Sequence, residues 1–189
     1  MRGLRPGHKE TERGATLVEM ALLAPLLFVA LFAIVEFGLA FKDYLSVSNG
    51  ARQGARAASV YGNDARADIL ILRDVESSLA TGAVNAANNT TVAIRNAVSS
   101  VGTVYTFLPG TGCSGGNCCD WQPCPDPSFP PGIYVIPIWN PATRDVSAPT
   151  TDAAEVTVSF THSWLTGFFF NTSLFSVEVS HAIEPQVFG

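Results

Sequence analysis

The sequence predicts an α+β protein: a long N-terminal transmembrane helix extending into an extracytoplasmic head, with a further helix and a C-terminal antiparallel β-sheet. Three observations predict it. Ala15 to Phe41 read ATLVEMALLAPLLFVALFAIVEFGLAF, with no charged or strongly polar side chain between Met20 and Val35. Residues 65–81 place Ile69, Leu72, Val75 and Leu79 on one apolar stripe at helical spacing. Near the C-terminus, Val156, Val158 and Phe160 alternate with Thr157, Ser159 and Thr161, and Phe175, Val177 and Val179 alternate with Ser176, Glu178 and Ser180. That two-residue period belongs to half-buried strands.

Composition narrows the function before any motif does. Of 189 residues only 14% are charged, against about a quarter in ordinary soluble domains. A net charge of −5 with no basic face argues against a nucleic-acid partner. The charge is also uneven. Arg2, Arg5, Lys9 and Arg13 outnumber Glu10 and Glu12 in the leader 1–14, whereas beyond Arg95 the only basic residue is Arg144.

The apolar segment reaches the roughly 20 residues that a spanning helix needs. Pro25 does not exclude it, since neighbouring groups in a membrane helix re-satisfy the freed carbonyl. The basic leader marks the cytoplasmic side. The expectation is therefore a single-pass protein of the cytoplasmic (inner) membrane: leader 1–14 inside, span 15–41 in contact with membrane lipid, head 42–189 outside. A cleaved signal peptide is the competing reading, but its apolar region is usually about 7–15 residues, shorter than this one. The Phe168-Phe169-Phe170 run is too short to span.

Two carboxylates interrupt the apolar helix, each a cost of about 2.5–3.5 kcal/mol if it sat at the bilayer centre. Glu36, followed by Lys42 and Asp43, is expected to mark the outer interface. Glu19 lies five residues after Gly14. Were the leader removed after Gly14, Ala15 would become a new N-terminus whose ammonium sits at the mouth of an apolar helix. A charge pair between that amine on one chain and Glu19 on its neighbour would satisfy two groups that are otherwise costly to bury.

The same residues carry a family resemblance. RGATLVEMALLAPLL, with Glu19 followed after five residues by Pro25, then IVEFGLAF and NGARQGAR, resembles the TadE-like proteins, minor pseudopilins of the tight-adherence (Flp, type IVb) pilus system. The resemblance covers Gly14–Arg56. It implies a membrane prepilin peptidase cutting between Gly14 and Ala15, Glu19 as the assembly carboxylate, and partners among pilin and pseudopilin subunits and the pilus assembly platform. Met20 departs from the aromatic residue usual in the family, and Met also fills an apolar helix face.

Lys42 to about Val60 reads as continued helix. Gly50 and Gly54, with Ala51, Ala55 and Ala58 nearby, form a small-residue stripe suited to close helix packing, against another chain or against this protein's own sheet. Arg52 and Arg56 stand one turn apart and are free to meet acidic partners or headgroups. Gly62-Asn63-Asp64 breaks the helix, and Asp64 can cap the next, whose Asp68, Arg73, Asp74 and Glu76 are expected to face water. Residues 82–91 read as loop. Residues 91–100 fit a short helix or a strand, and 101–108 a strand. Residues 109–150 are a Pro/Gly/Cys-rich loop. Its spacing Cys113-x4-Cys118-Cys119-x4-Cys124 is not a zinc-ribbon pattern. Disulfides are the default outside the cytoplasm, and a strained Cys118–Cys119 link is avoided if each pairs with Cys113 or Cys124. Trp121 and Trp139 are expected to anchor this loop in the core. Residues 151–189 read as a long hairpin turning over Ser163–Ser173.

No nucleophile–base pair, phosphate loop or metal-protease motif appears, so no catalytic residue, metal or cofactor is expected. His162 and His181 lie near the ends of the two tail strands, where they could approach each other but are expected to be solvated. The leading expectation is a structural pilus-assembly subunit. The alternative is an uncleaved surface adhesin presenting the disulfide-stapled loop. An exported enzyme ranks last.

Overall fold

The computed structural model describes residues 9–81, 90–114, 117–167 and 171–185, apart from the side chains of residues 9–13, 81, 109–114 and 117–118. Helix α1 (Lys9–Tyr61) is followed by α2 (Ala67–Thr81) and by strands β1 (Thr91–Asn96), β2 (Gly102–Ser114), β3 (Asn117–Gln122), β4 (Ala153–Ser163) and β5 (Thr172–Ala182). The strands form one antiparallel sheet in the order β3-β2-β1-β4-β5. The architecture is α+β, as the periodicities predict. Two compact units divide the chain, Met1–Leu39 and Ala40–Gly189.

In the first unit α1 exposes its apolar surface almost throughout, from Leu17 and Leu22 to Ile34 and Phe37. Pro25 lies inside the helix.

The second unit, the head, has one hydrophobic core. The α2 stripe foreseen from spacing, Ile69, Leu72, Val75 and Leu79, is buried together with Ile71. It packs with Val47, Ala51, Ala55 and Ala58 of α1 and with Val92, Ile94, Tyr105, Val156 and Val158 of the sheet. The turn between the helices is built by Asp64, whose side chain accepts from the Arg66 amide at 2.7 Å while its carbonyl accepts from Ala67 at 2.9 Å.

Several local expectations are resolved or corrected. Residues 91–96 are the central strand β1, paired with β2 and β4 on its two sides; Val98 and Ser99 then turn the chain, their amides bonded to Asn96 Oδ1 at 2.9 Å. The segment read as loop from 109 contains the end of β2 and all of β3. Phe107 pairs with Trp121 and Gly112 with Cys119, so an irregularity between them accommodates Pro109 and Gly110. Proline is tolerated in a strand at such a bulge, which is why composition alone suggested loop. Most of the expected loop at 82–91 lies outside the described residues. Trp121 and Trp139 are buried core anchors.

Candidate functional site

The apolar helix supplies the first element. Gly14, Ala15 and Glu19 are all exposed, among the exposed Leu17, Val18 and Met20. The span Gly14–Tyr61 is long and apolar enough to cross a membrane. An apolar surface this large, carrying one carboxylate, has to be covered by lipid or by other helices. Glu36, expected at the outer interface, is 6% exposed.

Further along α1 the small residues have a definite use. A Cβ on Gly54 would lie 2.6 Å from Val75 Cγ2 and 3.0 Å from Val156 Cγ1, and one on Gly50 would lie 3.3 Å from Leu79 Cδ2. The stripe therefore lets α1 approach α2 and β4 within the head. Arg52 and Arg56 remain exposed on the opposite side.

Two buried charge clusters were not foreseen. Asp68, expected in water, is 2% exposed and pairs with the Arg144 Nη2. Its other oxygen accepts from the Tyr105 hydroxyl at 2.6 Å. Burial, then the Asp68 charge, hold that phenol protonated far above the ordinary tyrosine range. Arg144 also donates to the Trp139 carbonyl at 3.2 Å and stacks 4.3 Å over the Trp139 ring. The signal was present in the sequence, since Arg144 is a lone cation in an apolar, proline-rich stretch and a buried cation needs a carboxylate.

The second cluster joins α1 to the end of β4. His162 Nδ1 donates to Asp43 Oδ2 at 2.6 Å, and His162 is buried rather than solvated. Its ring meets Trp164 edge-on at 5.0 Å, and Phe175 lies 6.2 Å from Tyr44. His181 does not approach it: the register sets His162 opposite Ser173 and His181 opposite Ala154, at opposite ends of the hairpin. An antiparallel pair separates the ends of its two strands, so that juxtaposition was unavailable.

Cys119 and Cys124 form a disulfide with Cα atoms 5.9 Å apart. The backbones of Cys113 and Cys118 pair across β2 and β3; their side chains lie outside the described residues. Beyond the bridge, Asp126 is buried. Burial pushes its carboxyl up, but bonds from the Ser128 amide at 3.0 Å and hydroxyl at 2.7 Å, with the charges of Arg66 and Arg73, more than offset this and leave the pKa lowered. A lowered native pKa stabilises the fold above the ordinary carboxylate range, and this is lost as pH falls through the native value. Asp126→Asn should therefore lower Tm at neutral pH, with the gap to the parent narrowing below about pH 4. A gap that stays constant on acidification, followed by thermal unfolding monitored by circular dichroism, would refute the assignment.

Among the described residues no cluster of three or more His, Cys, Asp or Glu is arranged to hold a metal. The extended surface that the geometry offers is the exposed helix from Gly14 onward, with Glu19 on it. Residues 14–56 match the TadE-like protein family. The matched segment coincides with the resemblance read from Gly14 to Arg56, and takes in both the exposed apolar helix and the Gly50–Gly54 packing stripe. No curated protein and no solved structure matches the chain.

Proposed function

We propose that this chain is a membrane-anchored minor pseudopilin that acts structurally in assembling a tight-adherence-type pilus or related secretion filament. Leader 1–14 is cytoplasmic, 15–41 spans the inner membrane, and head 42–189 stands outside. A prepilin peptidase cuts between Gly14 and Ala15, after which the chain joins other pilin and pseudopilin subunits at the assembly platform. The observation that carries the reading is the coincidence of the TadE-like match with an exposed apolar helix bearing Glu19. In apolar surroundings the Glu19 carboxylate needs a cation, and the new Ala15 ammonium of an adjacent subunit provides one.

Two measurements test this. Intact mass and N-terminal sequence after co-expression with the cognate peptidase should show a terminus at Ala15. An intact leader would refute cleavage, and a terminus near Phe41 would indicate a secretory signal instead. Glu19→Ala should insert normally yet incorporate into filaments about tenfold less, equivalent to about 1.4 kcal/mol per subunit contact. Undiminished incorporation would eliminate the charge pair.

A further inference from the structure

Around the end of the β4–β5 hairpin, apolar side chains stand exposed that the head's own core does not use. Leu165 is 74% exposed and Leu174 is 70% exposed. From Ser163 to Val177 the chain carries no charged residue. The end is closed by described contacts: the Trp164 amide donates to the Asn171 carbonyl at 3.1 Å, and the Trp164 indole N–H donates to Ser173 Oγ at 2.8 Å. An indole with its polar group satisfied and its ring half-exposed suits a boundary between water and hydrocarbon.

The position of this end within the head gives it a use. β4 runs back along α1, for Val156 lies against Gly54 while His162 is bonded to Asp43. The Tyr44–Phe175 contact holds β5 at the same end. Asp43 stands three residues after Ala40, where the head begins, which is about 4.5 Å of helix rise. The His162–Asp43 pair thus fixes the hairpin end at the place where the chain leaves the head for the apolar helix. At the other end of the sheet, the β1–β2 turn exposes Val98, 88% accessible.

We infer that the end of the β4–β5 hairpin, through Trp164, Leu165 and Leu174, is a second contact of the head with the lipid surface on the outer face of the membrane. The inference rests on the reading of residues 15–41 as a membrane span. The contact is shallow. Backbone groups outside a helix or closed barrel are not stable against lipid in the hydrocarbon core, so the contact lies among headgroups and the first methylenes. Lys42, exposed beside Asp43, adds a cation at headgroup level. The chain would then have two points of attachment to the membrane, one spanning and one superficial.

The test uses the full chain in phosphatidylcholine–phosphatidylglycerol vesicles. Single cysteines at Leu27→Cys, Leu165→Cys and Val98→Cys carry an environment-sensitive fluorophore, with the labelled parent chain as background. Nitroxide lipids bearing the spin label near the headgroup or deep in the acyl chain serve as quenchers. The expected result is loss of emission at 165 with the shallow quencher, at 27 with the deep one, and at 98 with neither. Quenching at 27 without quenching at 165 overturns the hairpin contact and leaves the span intact. A blue-shifted but unquenched label at 165 also overturns it, because protein, such as a second copy, then covers the hairpin. No quenching at 27 removes the span and the hairpin contact with it.

Discussion

Asp68→Ala is expected to destabilise the full chain by about 3–5 kcal/mol, because it leaves the Arg144 guanidinium buried without a counter-charge. The substitution also strips the Tyr105 hydroxyl of its acceptor, a bond of 2.6 Å in the folded protein. Arg144 cannot escape to solvent: it stacks on Trp139, itself a core residue. Denaturant unfolding in detergent micelles, followed through tryptophan fluorescence, measures the loss. The double variant Asp68→Leu with Arg144→Met should recover most of it, since well-packed apolar residues often replace a buried ion pair at little cost. A single variant within about 0.5 kcal/mol of the parent, the range of ordinary surface substitutions, would show that the pair does not support the fold.

Gly54→Leu should be the next most damaging change, with Gly54→Ala a milder form of the same defect. The first side-chain carbon already falls 2.6 Å from Val75 and 3.0 Å from Val156. Both neighbours are β-branched and stiff, and they come from α2 and β4, so relief on one side presses on the other. Overpacking of this kind costs about 1–3 kcal/mol, more than the roughly 1 kcal/mol that alanine gains over glycine in a helix. Gly50→Ala is the control. Its nearest neighbour is the terminal methyl of Leu79 at 3.3 Å, and a leucine tip can move. Gly50→Ala should therefore be neutral or slightly stabilising. Equal losses of Tm at the two positions would contradict this packing. Normal head stability for Gly54→Leu with defective assembly would indicate that the glycine serves an intermolecular seam instead.

These predictions separate what was legible in the chain from what was not. Local periodicity is a property of consecutive residues, so the apolar helix, the α2 stripe and the β4–β5 hairpin could be read directly. The small-residue stripe was also legible as a packing surface, but its partner was not. Whether Gly54 faces another chain or Val156 depends on residues 102 positions away in sequence. The β2–β3 hairpin was obscured because Pro109 and the glycines around it outweigh a weak strand signal, and only the cross-strand register shows the bulge that accommodates them.

Sequence by itself determined the membrane-length apolar helix, the Gly14–Ala15 and Glu19 spacing, the second helix and the alternating tail strands, because each is written in short-range pattern. Tertiary structure alone decided where the charges go. Asp68 looked like a solvated helix residue and Arg144 like a loop cation until the fold brought them together across 76 residues. His162 looked solvated until β4 returned along α1 to Asp43. A charge is stable in the interior only beside its partner, and the partner is fixed by topology, here the passage from β1 out through β2 and β3 before β4 returns beside it.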